Sequence, residues 1–232
     1  MDILQNATRS LQEYFAYSWS IRDQFITETL ATMKMTFISA FFAGLIGLFI
    51  GVLLVVTKKG AILECPFFNS LLEKITNLFR AIPFVILIAV LADFTRLLVQ
   101  TRIGDTAAMV PLTVTAIPFF AKQVDQALSS VDPGLIEAAV SMGDSPLQII
   151  FSVYFREGLP ALIRASSITL ISLLSLTTMA GTIGAGGIGN LAITVGYNRY
   201  KDDVTLISLL IILALVYAIQ ALSNFLIRKT DH

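Results

Sequence analysis

Long stretches without a charged residue dominate the chain and divide it into segments typical of membrane-crossing helices. A helix needs about 20 mostly apolar residues to cross the hydrocarbon layer, because its backbone amides find no water there and must bond internally. Two uncharged stretches reach this length without interruption, at residues 35–57 and 204–227. Residues 106–121 form a third, interrupted by two prolines, and residues 81–92 form a shorter one that the string LLVQT prolongs. We interpret all four as spans.

A fifth uncharged stretch, residues 165–198, is too long for one crossing and carries a cluster of glycines. Because glycine is a poor helix former, we expect a span over 165–180 that breaks at the cluster. Its spacing G-x-G-x-x-G marks a dinucleotide-binding loop only after a buried strand, and here it follows a membrane helix. We therefore interpret the glycines as a turn that lets helices approach closely and acts at a gate, the alternative being a plain flexible loop. These residues are Gly181, Gly184, Gly186, Gly187 and Gly189.

The pattern predicts an all-α integral membrane protein with five transmembrane helices in each protomer. We divide the chain into an N-terminal extracytoplasmic or interfacial segment (1–27), a membrane domain (28–226) and a cytoplasmic tail (227–232). Five spans place the termini on opposite sides, and Lys and Arg gather on the cytoplasmic side of membrane proteins. If the segment between the third and fourth spans is cytoplasmic, nine basic residues, Arg80 among them, lie on that side against seven on the other. The N-terminus is then outside and the C-terminus cytoplasmic.

Composition supports the membrane assignment and excludes most enzyme chemistry. The chain is 56% hydrophobic and 14% charged, against roughly 25% charged residues in soluble domains. Its net charge is zero, so no overall field attracts nucleic acid. One cysteine and one histidine leave no metal site, disulfide or catalytic triad, and no G-x4-G-K-[ST] phosphate loop occurs. An integral-membrane enzyme would need an acid, base or metal cluster, whereas a plain membrane anchor would need no substrate path.

The segment between the third and fourth spans carries clear helix-boundary signals. Asp132 before Pro133 is typical of a helix start, and Gly143 is typical of a helix end. The string SPLQ at residues 145–148 combines a capping serine, a first-position proline and a capping-box glutamine, which together start a second helix. The spacing alone predicts two helices joined at a glycine elbow, with Glu137 either simply solvated or facing a partner.

Residues across this segment resemble the EAA loop of ABC-importer permeases. Glu137-Ala138-Ala139 is followed by Gly143, Ile150 and Leu159-Pro160 at the spacing of that motif. The strings NLFRAIPFVILIAVLADFTRLLVQTRIG, AAMVPLTVTAIPFFAKQVDQAL and MAGTIGAGGIGNLAITVGYNRY are similar to the methionine-uptake branch of these permeases. The resemblance extends over residues 28–226, which is most of the chain.

The resemblance implies a permease subunit of an ATP-driven importer, without enzyme activity of its own. The loop would be a cytoplasmic coupling helix that seats in a cleft of a separate ATPase subunit. Its coupling residues would be Glu137, Ala138, Ala139, Ser141, Met142, Gly143, Asp144 and Ser145. This chain would bind no cofactor or metal, because ATP and Mg would be held by the partner ATPase.

The resemblance also implies the assembly and the cargo. Because five spans make a thin wall, we expect a homodimer with the path near its axis, joined by two ATPase subunits. An extracytoplasmic substrate-binding lipoprotein would deliver an amino acid to this complex in the bacterial inner (cytoplasmic) membrane. Methionine is the substrate that the branch implies, and another amino acid, a dipeptide or an osmolyte is the alternative within transport.

The fourth predicted span contains seven hydroxyl side chains, in the string ASSITLISLLSLTTMAG. They wind around a helix instead of forming one face. Two interpretations stay open: a moderately polar wall along a translocation path for a zwitterion, or hydroxyls that bond their own helix carbonyls and aid packing. The path residues in the first interpretation are Ser172, Ser175, Thr178 and Met179.

Overall fold

The computed structural model describes residues 15–230, and every regular element in that range is a helix. The helices run in chain order as α1 (Ala16–Ser20), α2 (Arg22–Val56), α3 (Pro66–Ala81), α4 (Phe84–Val90), α5 (Ala92–Val99), α6 (Asp105–Leu128), α7 (Pro133–Ser141), α8 (Pro146–Ala185), α9 (Ile188–Tyr197) and α10 (Asp202–Thr230). The predicted all-α fold class is therefore confirmed. The proposed domain boundaries, which fall partly outside the described residues, stay predictions.

Among the described residues, four helices are long and apolar enough to cross a membrane: α2 with 35 residues, α6 with 24, α8 with 40 and α10 with 29. They coincide with the first, third, fourth and fifth predicted spans. The fourth is longer than predicted because the second helix of the loop continues into it through a π-helical turn at Ile150–Tyr154. Pro160 lies inside this helix, where its ring nitrogen leaves one backbone hydrogen bond unmade.

The second predicted span is broken into short helices. Residues 66–99 form α3, α4 and α5, of 16, 7 and 8 residues, none of which is long enough to cross alone. Pro83 causes the first break, because proline favours extended backbone in the residue before it, which here has ψ 122°. In α5, Asp93 pairs with Arg102 beyond the helix and not with Arg96, although the i,i+3 spacing favours Arg96.

Helices α2 and α6 pack side by side and run in the same direction. Ion pairs join them at both ends: Lys34 Nζ lies 2.9 Å from Asp105, and Lys58 Nζ lies 2.6 Å from Asp125. The helical rise of α6 from Asp105 to Asp125 is roughly 30 Å, which equals the hydrocarbon thickness of about 30 Å. Because the two helices are parallel, residues 59–104 must return across the same thickness. The count of five crossings stays a prediction, which this return path supports.

We call the two ends of the bundle the loop end, which holds α7 and the start of α8, and the glycine end, which holds the α8–α9 connection. Helix α8 runs antiparallel to α6. At the loop end Leu128 packs against Gly158, and at the glycine end the Gly104 amide donates to the Gly184 carbonyl at 3.2 Å. Helix α8 therefore connects the two ends of the molecule as one rod.

Buried apolar clusters hold the helices together at both ends. At the loop end, Val56 of α2 and Val124 of α6 pack with Ile149 of α8. Towards the glycine end, Met35 of α2 packs with Leu112 of α6. In a bilayer such packing stabilises through close van der Waals contact, since lipid tails are as apolar as these side chains.

Candidate functional site

The elbow between α7 and α8 has the geometry predicted from the sequence. Asp132 caps α7 by accepting a hydrogen bond from the Gly134 amide at 2.8 Å. Gly143 has φ +87°, a left-handed conformation that glycine adopts without side-chain strain. The Ser145 amide donates to Gln148 Oε1 at 2.7 Å, and the Gln148 amide donates to Ser145 Oγ at 3.4 Å. This capping box satisfies open amides at the start of α8 and fixes the angle of the elbow.

One face of the elbow is anchored in the protein and the other is open. Ala139, one of the predicted coupling residues, is only 2% exposed and packs in the loop-end cluster with Ile149, so its side chain lies on the anchored face. The physical reason is that a nine-residue helix needs a buried stripe to stay docked, and Ile136 and Ala139, three residues apart, supply it. Glu137 and Ala138, which lie between them in the sequence, are exposed.

The other predicted coupling residues divide between internal bonding and open surface. The Ser141 hydroxyl donates to the Glu137 carbonyl at 2.8 Å, and the Ser145 hydroxyl is held in the capping box. Asp144 is half-buried, and Gly143 is exposed at the turn itself. Met142 is 76% exposed, so its side chain is the most open apolar one at the elbow.

An exposed apolar surface, which we call the elbow patch, covers the open face. It consists of Leu135, Val140, Met142, Leu147 and Phe151. Leu147 and Phe151 were not among the predicted coupling residues, although their i,i+4 spacing places both on one side of α8. Exposed apolar side chains grouped in this way are typical of surfaces that contact another protein or a membrane.

A buried ion network fixes the loop end beneath the elbow. Asp125 is 4% exposed on its side chain and accepts hydrogen bonds from Lys58 Nζ at 2.6 Å and Lys122 Nζ at 2.9 Å. Lys122 also reaches Glu73 at 3.1 Å, and Lys58 also donates to Ser129 Oγ at 2.9 Å. The network joins α6 to α2 and α3, and it gives the buried carboxylate the partners that a buried charge requires.

At the glycine end, three glycines make the reversal from the last, non-helical turn of α8 into α9. Gly184, Gly186 and Gly187 have φ of +92°, +79° and +85°, a backbone region that residues with side chains rarely adopt. No strand precedes them within the described residues, which agrees with rejecting a dinucleotide loop. The predicted sharp turn is therefore confirmed, and the role at a gate stays a prediction.

Two further glycines let α9 fold back against the end of α8. A Cβ at Gly181 would lie 2.6 Å from the Asn190 amide nitrogen, and a Cβ at Gly189 would lie 2.5 Å from Thr178 Cα. Atoms this close would overlap, so only glycine fits at either position. The predicted close helix approach is confirmed here.

Side chains of α2 cap the start of α9. The Gly187 amide donates to the Glu28 carboxylate, and the Ile188 amide donates to Thr32 Oγ1 at 2.8 Å. Helix N-termini need such acceptors for their open amides, and a residue just before the helix usually supplies them. Here the acceptors lie 159 and 156 residues away in the sequence, so no local signal predicts them.

The predicted path residues fall into two groups. Ser172 and Ser175 line a cavity of about 370 Å³ between α6, α8 and the α3–α4 break, whereas Thr178 and Met179 do not line it. The Ser175 hydroxyl donates to the Ile171 carbonyl at 3.3 Å, and the Thr178 hydroxyl donates to a carbonyl of α8 at 3.1 Å. The interpretation that the hydroxyls bond carbonyls of their own helix therefore holds for Ser175 and Thr178. Ser172 and Ser175 also line the cavity.

Arg80 lines the same cavity, together with Thr115 of α6. Thr115 lies ten residues after Asp105 and thirteen before Leu128, so the cavity sits near the middle of α6. Arg80 was expected at the cytoplasmic face because the predicted span begins just after it. That expectation is wrong, since α3 already runs towards mid-depth before the break at Pro83.

Similarity to known proteins extends over nearly the whole chain. A family model described as "Binding-protein-dependent transport system inner membrane component" matches residues 47–232. The chain is 40% identical to the "Probable D-methionine transport system permease protein MetI" of Vibrio cholerae, over 96% of this chain and 98% of that protein. It is 43% identical to the "Methionine import system permease protein MetP" of Bacillus subtilis, over 77% of this chain and 81% of that protein.

Solved structures agree with the sequence comparison. A chain from an inward-facing conformation of the MetNI methionine ABC transporter is 41% identical and superposes with a TM-score of 0.90, covering 92% of this chain and 99% of that one. A second one, from an amino acid ABC transporter with histidines, is 18% identical with a TM-score of 0.77, and it shares the fold. This chain therefore belongs to the family of binding-protein-dependent transport system inner membrane components.

Proposed function

We propose that this chain is the permease subunit of an ATP-driven methionine importer. The observation that carries the proposal is the continuity of α8. This one helix begins beside the elbow patch and passes the cavity lined by Ser172 and Ser175. It ends in the reversal made by Gly184, Gly186 and Gly187, which we call the glycine hairpin. A force applied at the elbow therefore reaches the membrane interior through a single rod. Similarity to methionine permeases along almost the full chain supports the substrate.

The elbow patch is the surface on which a separate ATPase subunit would dock. Its exposed Met142, Leu147 and Phe151 offer apolar contact area, and the Glu137 carboxylate is free to accept hydrogen bonds from the partner. Closure of the ATPase around ATP and Mg would push the elbow. Ala139 and the Asp125 network tie that elbow to α2 and α6, so the bundle would respond as a unit. ATP-driven closure would thereby bias the permease between its inward-open and outward-open forms, and this bias is the coupling step.

The assembly that fits this mechanism is a homodimer with two ATPase subunits. Each protomer offers one elbow, so a twofold axis presents two docking surfaces on the same side. That side is cytoplasmic in our proposal, which places the C-terminus with it and the N-terminus outside. An extracytoplasmic substrate-binding lipoprotein would then dock at the glycine end and deliver methionine.

The translocation path in this proposal passes the cavity near mid-depth. Ser172 and Ser175 would line it, and Thr178 and Met179 would follow towards the glycine end. There the glycine hairpin would act at a gate, since its turn is made by glycine residues that need no side-chain rearrangement to change conformation.

Site-directed crosslinking tests the docking surface. With Cys65 changed to Ser, a single cysteine is placed either at Met142, which is 76% exposed at the elbow, or at Trp19, which is 73% exposed at the glycine end. We expect Met142→Cys to crosslink to the ATPase subunit and Trp19→Cys not to. Crosslinks from the Trp19 position alone would contradict the proposal.

Reconstituted uptake tests coupling and cargo together. Gly143→Pro and Glu137→Lys should each insert in the membrane yet lose ATP-driven uptake, because one breaks the elbow and the other reverses a docking charge. Normal uptake in both variants would count against the coupling role. Competition with unlabelled amino acids, dipeptides and osmolytes identifies the cargo, and methionine should compete best.

A further inference from the structure

The cavity near mid-depth combines one cation, several hydroxyl groups and an aromatic wall. Arg80 lines it from the last turn of α3, and Thr115, Ser172 and Ser175 line it from α6 and α8. Its volume of about 370 Å³ lies within the range of ligand pockets, roughly 300–1,000 Å³. The space is therefore large enough for a small amphipathic molecule.

Arg80 brings a positive charge to this cavity, and no acid in the described residues neutralises that charge. None of the six ion pairs within residues 15–230 includes Arg80, whereas the buried Asp125 has two lysine partners. Charged groups at membrane depth are costly, and they mark substrate or ion pathways when they face a cavity. An arginine without an acid partner is suited to an anionic ligand.

The hydroxyl groups are arranged as acceptors. The Thr115 hydroxyl donates to the Pro111 carbonyl at 2.9 Å, and the Ser175 hydroxyl donates to the Ile171 carbonyl at 3.3 Å. Each has its single proton committed, so the oxygen lone pairs are left for a donor such as an ammonium group. One cavity thus presents a cation for a carboxylate and oxygens for an ammonium.

We propose that Arg80 is a substrate-binding residue that holds the carboxylate of the transported amino acid inside the permease. The guanidinium fork matches a carboxylate with two parallel hydrogen bonds. Thr115 and Ser175 accept hydrogen bonds from the ammonium group, and Phe84 and Phe119 cover an apolar side chain. The site rests on the proposed function, and it adds recognition of the zwitterion by the permease itself.

The test uses the permease–ATPase complex in nanodiscs without a binding protein. Binding of radiolabelled methionine is measured by competition with unlabelled methionine and with methioninamide, which lacks the carboxylate charge. In the wild type, the amide should compete at least about tenfold more weakly, the effect of losing a charged hydrogen-bonded pair. In Arg80→Gln, the affinity for methionine should fall by about the same factor, and methionine should no longer bind more tightly than methioninamide. Arg96→Gln is the matched control, because Arg96 is exposed like Arg80 but does not line the cavity.

A second variant tests the other half of the site and does not depend on Arg80. Thr115→Val keeps the side-chain shape and removes an acceptor for the ammonium. It should weaken the binding of methionine and of methioninamide by the same factor. The binding of 4-(methylthio)butanoate, which has no ammonium group, should stay unchanged. Unaltered methionine binding in Thr115→Val would overturn the ammonium assignment.

The outcomes separate this inference from the proposed function. Absence of methionine binding to the wild-type complex, or equal binding in wild type and Arg80→Gln, overturns the Arg80 site. An Arg80→Gln complex that binds methionine and methioninamide more weakly by the same factor also overturns it, because that result indicates a structural role for Arg80. ATP-driven methionine uptake by wild-type proteoliposomes is measured separately, so the proposed function stands or falls on that result alone.

Discussion

Two helix reversals in this molecule use glycine for different physical purposes. At the elbow, Gly143 supplies a left-handed backbone angle, and a side chain there would meet no atom within 4 Å. At the glycine end, Gly181 and Gly189 supply contact, since side chains there would overlap backbone atoms at 2.5–2.6 Å. The elbow is open on its outer face, whereas the hairpin is packed against its own chain.

The difference separates a reversal with an open outer face from a reversal that is packed against its own chain. An open reversal leaves apolar area for another protein, and its position is held from beneath by Ala139 and the Asp125 network. The closed reversal is held from within the protein, because Glu28 and Thr32 of α2 bond its amides. Substitutions at the glycine reversal should therefore lower the stability of the fold, and substitutions at the elbow should weaken association with the ATPase subunit.

The largest effect is expected at the closed reversal. In Gly189→Ala the new Cβ would overlap Thr178 Cα, so α9 must move away from α8. Overpacking of this kind should lower the free energy of unfolding by about 3 kcal/mol or more. Thermal unfolding in detergent measures the change. Gly44→Ala is the control: it lies in α2 with no atom within 4 Å of its added Cβ, so a loss of stability there would break the comparison.

The next effect is expected beneath the elbow. Asp125→Ala leaves Lys58 and Lys122 without their shared carboxylate, which should cost about 3 kcal/mol. That value is at the low end for buried pairs, because the Lys58 side chain is 42% exposed and water screens it. Thermal unfolding of Asp125→Ala against Lys34→Ala, which removes an exposed pair at the other end, checks the prediction. Equal losses would show that the network does not anchor the loop end.

A smaller effect is expected at the open reversal itself. Gly143→Ala adds a side chain in a left-handed backbone conformation but creates no overlap, so the cost should be about 1–2 kcal/mol. Urea or thermal unfolding measures it beside Gly189→Ala. If Gly143→Ala were the more destabilising of the two, the distinction between backbone angle and close contact would be wrong.

The smallest stability effect is expected on the elbow patch. Met142→Ser removes an exposed apolar side chain and should change the free energy of unfolding by no more than about 0.5 kcal/mol. Its association with the ATPase subunit should nevertheless weaken, which co-purification at increasing dilution measures. A large loss of stability together with normal association would contradict the assignment of Met142 to partner binding.

Local signals in the sequence predicted the elbow well. Three local features form it: the cap at Asp132, the turn at Gly143 and the capping box at Ser145. Each depends on residues within three positions of each other, so a short stretch of sequence is enough to predict it. The long apolar helices were equally predictable, because crossing a bilayer imposes a length and an absence of charge. Exposure could not be predicted in the same way, and Ala139 is the clearest case.

Long-range packing decided the features that local patterns missed. The sequence places Arg80 at the edge of a span, yet the break at Pro83 and the parallel packing of α2 and α6 bring it to a cavity at mid-depth. The acceptors for the α9 amides come from α2, more than 150 residues away. Such contacts depend on which helices become neighbours.

The sequence by itself determined that this chain is helical, membrane-spanning and provided with a capped elbow outside the apolar spans. The tertiary structure alone decided which face of the elbow stays open, which glycines are needed for contact, and where Arg80 lies. The physical reason is that caps and hydrophobic length act between near neighbours in the chain. Burial and cavities arise only when distant helices meet.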